Sequence, residues 1–237
     1  MATILMVHGA FQGGWVWHKV ASSLRSQGHI VHTPTLSGCG YLSQNIPQQE
    51  DVPVYIGNMA EYLILEELDD VVLVGHSYSG LICGALMMRF PQRIRQAVFI
   101  DAVIPESNRS FVDIAGEQFT QMLEQHRMAG DMVRPWPAKV FGVAGAEADW
   151  FEQRLRPFPR RAFHTPFPGV FDSTAVPTSH ITCTRTMSPF IREMAAKAQG
   201  FSWPLYELDT GHCPMITCPE ALTKTLTTIM QTCEKTE

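Results

Sequence analysis

Short apolar runs recur along the chain, and stretches with helical spacing of apolar side chains separate them. The runs consist mainly of β-branched and long apolar residues. They are residues 3–7, 29–33, 71–74 and 97–100. The helix-like stretches are residues 14–27, 54–68 and 80–90. Strands that are apolar throughout are typically buried on both faces, so this alternation predicts a parallel sheet with helices on both sides.

The alternation stops after residue 104. A helix is expected over residues 111–128, and aromatic side chains then interleave with prolines over residues 134–171. This mixture is typical of neither a strand nor a linker. Residues 36–49, which are rich in Gly, Ser, Gln and Pro, are expected to form a loop.

The alternation resumes in the last third of the chain. Strands are expected at residues 179–184 and 203–208, and helices at residues 189–199 and 219–232. The sequence therefore predicts an α/β fold with a doubly wound, mostly parallel six-stranded sheet. Residues 1–104 and 172–237 are expected to form its core, and residues 105–171 an inserted helical and aromatic cap.

The composition agrees with one globular domain that carries an insertion. The chain has 237 residues, of which 45% are hydrophobic and 17% charged. A formal net charge of −5 without a basic block argues against nucleic-acid binding. No apolar stretch is long enough to span a membrane, and residues 1–7 lack the flanks of a signal peptide, so a cytoplasmic location is expected. A homodimer is possible and is left open by the sequence.

Six cysteines are present, and their spacing does not form a C-x-x-C motif. The chain is neither small nor visibly secreted, so free thiols are favoured over a disulfide framework. Cys213 and Cys218 are five positions apart with Pro214 between them, a poor arrangement for a metal clip. No metal site is therefore expected.

The most informative motif follows the apolar run that ends at residue 74. Residues 75–80 read Gly-His-Ser-Tyr-Ser-Gly, with a helix-like stretch directly behind them. A serine on a sharp turn between strand and helix presents its hydroxyl above the carboxyl end of the sheet, as a nucleophile does. Ser77 is therefore the candidate nucleophile. Ser79 stands where the G-x-S-x-G pattern has its second glycine, and Gly80 follows one position later.

A serine hydroxyl needs a base to act as a nucleophile. His212 lies in a loop between the last expected strand and the last expected helix, from which it can reach back over the sheet to Ser77. His212 is therefore the candidate base. His76 is next to Ser77 in the sequence, but alternation along the strand is expected to point it away.

An oxyanion requires backbone N–H donors. The Tyr78 amide, directly after the nucleophile, is one candidate. The Ala10 amide, in the loop after the first strand, is the other. His8 is expected to brace that loop, the alternative being a strand-end histidine without a role.

The carboxylate that would orient His212 is harder to assign. The segment after the strand at residues 179–184 contains no Asp or Glu before Glu193, which is already in a helix. In this architecture the acid usually follows the strand before the last one, here residues 179–184. Asp101 ends the strand after the nucleophile helix, and we expect that strand end to lie next to this position. Asp101 is therefore the candidate acid. Glu193, Asp209 or a water or other polar group remain alternatives.

Five segments resemble the α/β-hydrolase superfamily, and within it the plant methyl esterases and hydroxynitrile lyases. They are residues 7–20, 28–38, 73–80, 97–106 and 209–222. The resemblance implies an α/β-hydrolase fold that lacks the first two strands, and a cofactor-free serine hydrolase with Ser77 and His212 at matched positions. It does not carry over the acid, because the family's usual aspartate has no counterpart at residues 184–188.

Two positions help to choose between the chemistries of this group. The hydroxynitrile lyases carry a threonine after the first histidine and a lysine after the catalytic one, where this chain has Gly9 and Cys213. Cys213 cannot supply the positive charge that would hold cyanide.

We therefore expect a serine esterase that cleaves a small apolar or aromatic carboxylic ester or lactone through an acyl-enzyme. The alternatives are a hydroxynitrile-lyase-like or carbon–carbon bond hydrolase, and a non-catalytic binder of small ligands. The aromatic residues of the cap are expected either to line the pocket or to pack the cap on the core.

Overall fold

A computed structural model describes residues 1–44 and 50–233 of the protein. Residues 45–49 of the expected loop lie outside the described residues. Nine strands are present in this part of the chain: β1 Thr3–Val7, β2 Ile30–His32, β3 Val71–His76, β4 Ile94–Ile100, β5 Arg127–Met128, β6 Met132–Val133, β7 Phe158–Pro159, β8 Thr178–Cys183 and β9 Leu205–Leu208.

The helices alternate with the long strands. They are α1 His18–Ser26, α2 Val52–Leu65, α3 Gly80–Arg89, α4 Phe111–Ala115, α5 Glu117–Gln125, α6 Ala146–Glu152, α7 Arg160–His164, α8 Pro189–Gly200, α9 Pro214–Thr217 and α10 Pro219–Cys233. Four short 3-10 helices span Gly14–Trp17, Gly40–Gln44, Ser77–Ser79 and Ala138–Phe141. No helix within residues 1–44 and 50–233 has both the length and the apolar character needed to cross a bilayer.

Six strands form one parallel sheet in the order β2-β1-β3-β4-β8-β9. This confirms the predicted fold. Every residue of β3 is buried, as expected of a central strand that is covered on both faces. The carboxyl ends of β3, β4 and β8 are neighbours, so the loops that follow them meet at one edge of the sheet.

The inserted segment differs from the expected continuous helix. Gly116, with φ +81°, ends α4 and begins α5, so residues 111–128 do not form one helix. The chain then forms the antiparallel sheet β5-β6-β7, so strands accompany the helices of this segment. The boundaries of the cap at residues 105 and 171 stay a prediction.

Local capping explains where two other helices begin. α2 starts two residues before the expected position, because the Asp51 side chain accepts a hydrogen bond from the Val54 amide over 3.1 Å. The stretch expected as a helix from residue 14 begins as a 3-10 turn, and the α-helix proper starts at His18.

Candidate active site

Ser77 lies directly after β3, with a backbone φ of +55°. This left-handed conformation is strained for a residue with a side chain, and it lifts the serine above the end of the strand. The elbow needs a glycine at position 80, because a Cβ there would lie 1.9 Å from the carbonyl oxygen of Val103. The close packing of α3 against the chain after β4 therefore depends on Gly80.

Ser79 has a structural function in the same turn. Its hydroxyl accepts a hydrogen bond from the His76 amide over 2.8 Å and lies 2.8 Å from the carbonyl oxygen of Val7, to which it can donate. The serine at the fifth position of the motif therefore ties the turn to β1.

His212 lies in the loop between β9 and α9, and its imidazole reaches over the end of the sheet. Its Nε2 is 2.9 Å from the hydroxyl oxygen of Ser77. Its Nδ1 is 2.7 Å from Oδ2 of Asp101. These two contacts form a continuous chain of hydrogen bonds through the three residues.

Asp101 directly follows β4 and is fully buried. Its backbone is also left-handed, with φ +45°. Burial raises the pKa of its carboxyl, but hydrogen bonds from His212, Thr186 and the Cys183 amide outweigh that effect. The pKa of Asp101 therefore lies below its ordinary value, and the side chain is a carboxylate at neutral pH.

The two other candidate carboxylates lie elsewhere. Glu193 is exposed on α8. Asp209 has an 82% exposed side chain that pairs with Arg185 over 2.9 Å. Within residues 1–44 and 50–233, Asp101 is the carboxylate that contacts His212.

His76 does not point away from the site, contrary to the sequence expectation. It is buried, its ring centroid is 4.7 Å from that of His212, and its Nε2 is 2.7 Å from the His212 carbonyl oxygen. A carbonyl oxygen accepts, so Nε2 carries the hydrogen. Burial and the neighbouring His212 lower the pKa of His76 to about 3, which keeps the imidazole neutral. Alternation along β3 failed as a guide because His76 is its last residue and the facing loop folds over it.

His8 braces the loop after β1, as expected. Its Nε2 accepts a hydrogen bond from the Leu36 amide over 3.0 Å, and its Nδ1 therefore carries the hydrogen toward the Gly9 carbonyl oxygen at 2.8 Å. Burial lowers the pKa of His8 to about 4. The neutral ring joins two loops beside Ser77.

The candidate oxyanion donors border the same space. Ala10 and Tyr78 both line the cavity into which Ser77 opens. Gln12, which sequence reasoning missed, also lines it. Its Oε1 accepts from the Gly9 amide over 3.3 Å and its Nε2 contacts Cys213 Sγ at 3.4 Å. No sequence signal marks Gln12, because its contact with Cys213 joins two loops that lie 201 positions apart in the sequence.

The cavity above Ser77 is small and apolar, with a volume of about 70 Å³. No Asp, Glu, Lys or Arg side chain is among the described residues that line it. Apart from the residues named above, its walls come from the loop after β1, the inserted segment, the loop between β8 and α8, and α8 itself: Phe11, Phe111, Phe119, Met122, Trp136, Val140, Phe141, Phe163, Thr186, Ser188, Phe190 and Ile191.

The aromatic residues of the inserted segment divide between the two expected roles. Trp136 and Phe163 line the cavity. Others pack the segment onto the core, as Trp150 does against Trp15 with ring centroids 5.4 Å apart. The segment also holds the His212 loop, because the Cys213 amide donates to the Phe141 carbonyl oxygen over 3.1 Å.

Within residues 1–44 and 50–233, no group of three or more His, Cys, Asp or Glu side chains is arranged to hold a metal ion. The five cysteines whose side chains are described are free, namely Cys39, Cys83, Cys183, Cys213 and Cys218.

Comparisons with known proteins agree with this geometry. The model of the alpha/beta hydrolase family matches residues 4–225. A carbendazim hydrolyzing esterase from Nocardioides sp. is 28% identical over 95% of this chain and 98% of that protein. Salicylic acid-binding protein 2 of Nicotiana tabacum is 37% identical over 46% of this chain and 43% of that protein.

Among solved structures, an extracellular alpha/beta-hydrolase from a Paenibacillus species superposes with a TM-score of 0.83 and 22% identity. The superposition covers 95% of this chain and 98% of that one. At this identity the likeness concerns the fold.

Proposed function

The chain belongs to the alpha/beta hydrolase family, and on that basis we propose that it is a serine esterase for small, uncharged, apolar or aromatic carboxylic esters or lactones. The observation that carries the proposal is the chain of hydrogen bonds from Asp101 through His212 to Ser77, whose hydroxyl opens into an apolar cavity. The esterase names of its relatives, among them the carbendazim hydrolyzing esterase, support the same activity.

In the first step the Ser77 hydroxyl oxygen attacks the ester carbonyl carbon while Nε2 of His212 takes its proton. The C–O bond to the alcohol breaks, and His212 returns the proton to the departing oxygen. Asp101 holds the Nδ1–H of His212 and stabilises the imidazolium while it exists. The acyl group is then bound to Ser77.

In the second step a water molecule attacks the acyl-enzyme. His212 takes a proton from this water and returns it to the Ser77 oxygen, which releases the carboxylic acid. Each tetrahedral intermediate places a negative oxygen against the backbone amides of Ala10 and Tyr78. These steps use groups of the protein and water.

The cavity supports the proposed substrate class. Its volume of about 70 Å³ is far below the roughly 300–1,000 Å³ of a pocket for a drug-sized ligand, so it suits a small molecule. An ionised group on the substrate would lose its hydration among Phe and Trp side chains without a partner of opposite charge.

The geometry around Gly9 and Cys213 disfavours the lyase alternative. A Cβ at position 9 would lie 3.0 Å from both Ser77 Cβ and His76 Nδ1, which leaves little room for the threonine of the lyases. Cys213 is fully buried, so a lysine there would place a charge in an apolar interior. Ester hydrolysis needs neither residue.

Covalent labelling tests the proposal. Intact mass after incubation with a fluorophosphonate should show one adduct, and peptide mapping should place it on Ser77. Ser77→Ala and His212→Ala should abolish the adduct, whereas His18→Asn on the exposed face of α1 should not. An ester and lactone panel then identifies the substrate. Absence of an adduct on folded wild-type protein would favour the ligand-binder alternative, and release of an aldehyde or ketone without ester turnover would favour a lyase or carbon–carbon bond hydrolase.

Three further expectations stay predictions. They are the division into a core of residues 1–104 and 172–237 with a cap of residues 105–171, the cytoplasmic location, and a homodimer.

A further inference from the structure

Thr186 lies in the loop between β8 and α8 and has a side chain that the mechanism above does not use. It is only 2% exposed. Its amide donates to the Cys183 carbonyl oxygen over 3.1 Å, which fixes the loop in a tight turn. Its hydroxyl donates a hydrogen bond to Oδ2 of Asp101.

The Asp101 carboxylate accepts three hydrogen bonds from three directions. The Cys183 amide donates to Oδ1 over 3.0 Å. The Thr186 hydroxyl and Nδ1–H of His212 both donate to Oδ2. Two donors that converge on one oxygen fix the rotation of the carboxylate plane. They also determine how strongly the negative charge of the carboxylate acts on His212.

We propose that Thr186 is a positioning residue for the esterase reaction, which orients the Asp101 carboxylate toward His212 and moderates its charge. This inference rests on the proposed function. Asp101 follows β4 and reaches His212 across the end of β8. The Thr186 hydroxyl, on the loop after β8, holds the carboxylate in this position together with the Cys183 amide.

Two histidines besides His212 lie near Asp101, and both are neutral. His76, at the end of β3, has a pKa that burial and the neighbouring His212 lower to about 3. His180, on β8, has a pKa that burial lowers to about 4. Neither carries a charge near neutral pH.

The other titratable groups around Asp101 are also uncharged or paired. Burial raises the pKa of the Cys183 thiol on β8 and of the Cys213 thiol beside His212. Arg185 and Asp209, in the two adjoining loops, pair with each other at the surface. The charged group that acts on His212 is therefore the Asp101 carboxylate, whose charge the hydrogen bond from Thr186 moderates.

Removing the hydroxyl should thus change catalysis in a defined direction. In Thr186→Val, Oδ2 has His212 as its only described donor, and the carboxylate can turn. Loss of a hydrogen bond to a charged group corresponds to a roughly tenfold to hundredfold fall in kcat. KM should change less than about twofold, because valine keeps the volume that Thr186 contributes to the cavity wall.

The pH profile separates this role from a merely structural one. Without Thr186 the undivided carboxylate charge stabilises protonated His212 more strongly, so the acidic limb of kcat/KM should move to higher pH. Thr186→Ser keeps a hydroxyl and should restore most of kcat and return the limb to its wild-type position.

The experiment compares Thr186→Val, Thr186→Ala and Thr186→Ser with wild type. Thr178→Val is the matched control, since Thr178 is a buried threonine at the opposite end of β8 whose hydroxyl donates to the Val176 carbonyl oxygen over 2.9 Å. Thermal unfolding of each variant confirms that it is folded. If Thr186→Val does not fold, Thr186→Ala against Thr186→Ser answers the same question.

The outcomes separate the two proposals. A wild-type protein that neither hydrolyses esters nor takes the fluorophosphonate label overturns the proposed function. An active wild type, with variants lacking the hydroxyl that match Thr186→Ser in kcat, or whose acidic limb stays in place or moves to lower pH, overturns the role of Thr186 alone.

Discussion

The imidazole of His76 donates a hydrogen bond from Nε2 to the main-chain carbonyl oxygen of His212 over 2.7 Å. The residue before the candidate nucleophile therefore holds the backbone of the candidate base. Both ends of this contact are fixed by strong constraints, because His76 is the last residue of β3 and the His212 loop is tied to the inserted segment through Phe141. We therefore expect this contact to help set the spacing between Ser77 and His212.

Replacing His76 should slow catalysis without abolishing it. His76→Phe keeps much of the ring volume but removes the donor to the His212 carbonyl oxygen. A buried hydrogen bond contributes about 1 kcal/mol, so kcat should fall roughly fivefold to tenfold. The measurement is steady-state ester hydrolysis, with His18→Asn as a surface control. A His76→Phe variant with unchanged kcat would show that the Phe141 contact suffices to hold His212.

Asp101→Asn should lower kcat by roughly 10³–10⁴-fold, because an amide neither stabilises the imidazolium nor selects the productive tautomer. The side-chain volume is unchanged, so the protein should remain folded. Glu193→Gln and Asp209→Asn are the matched controls and should each stay within about twofold of wild type. A loss of only a few-fold in Asp101→Asn would remove Asp101 from the mechanism.

The pH dependence of stability should reflect the buried neutral histidines. The pKa of His8 is lowered from 6.5 to about 4, so the unfolded chain binds a proton that the folded chain does not between these pH values. The contribution of neutral His8 to the free energy of unfolding is fully present above pH 6.5 and is lost as pH falls toward 4. The loss is at most about 1.4 kcal/mol per pH unit for each such histidine.

Denaturant unfolding at about pH 7, 5.5 and 4.5 measures this slope. His8→Gln should reduce the slope, whatever its effect on absolute stability. Equal slopes for wild type and His8→Gln would contradict the assignment of His8 as a buried, neutral histidine of the folded protein.

Two glycine substitutions should act in opposite directions. Gly80→Ala places a Cβ 1.9 Å from the Val103 carbonyl oxygen, and should destabilise the protein by about 1–3 kcal/mol or more and lower esterase activity. Gly57→Ala, within α2 and with no heavy atom within 4 Å of the new Cβ, should stabilise it by about 0.5–1 kcal/mol. Equilibrium unfolding compares the two. A neutral Gly80→Ala would mean that α3 can shift away from the chain after β4.

Phe190→Ala should widen the range of substrates. Phe190 lines the cavity and is half-buried on α8, where its ring meets Phe111 at 5.4 Å. Its removal enlarges a small cavity, so kcat/KM for a bulky ester should rise relative to that for a small one. Phe201→Ala is the control, because Phe201 is also half-buried but packs on Trp203 at 5.5 Å and does not line the cavity. An unchanged preference in Phe190→Ala would show that another wall limits substrate size.

Sequence periodicity was sufficient for the main elements of the core. β1 has the expected bounds, and α3 and α8 each differ from expectation by one residue. Apolar patterning determines these elements because each packs its apolar side chains against the same core. β1 and α3 are buried over most of their length, and α8 buries Ile191, Met194 and Ala198. The inserted segment could not be predicted in the same way, since Gly116 interrupts its helix and β5, β6 and β7 are only two residues long each. Strands this short are determined by their partners.

The sequence by itself singled out Ser77 and His212, because a serine between strand and helix and a histidine before the last helix are local patterns. For the acid it favoured Asp101 but left Glu193, Asp209 and a water or other polar group as alternatives. Only the tertiary structure chose between them, since the pairing of β4 with β8 brings Asp101 to Nδ1 of His212, while Glu193 and Asp209 face solvent. His76 and Thr186 likewise acquire their partners from segments far away in the sequence, and so does Gln12 in its contact with Cys213. Periodicity reports burial along one element, whereas the contacts of a site depend on how separate elements meet.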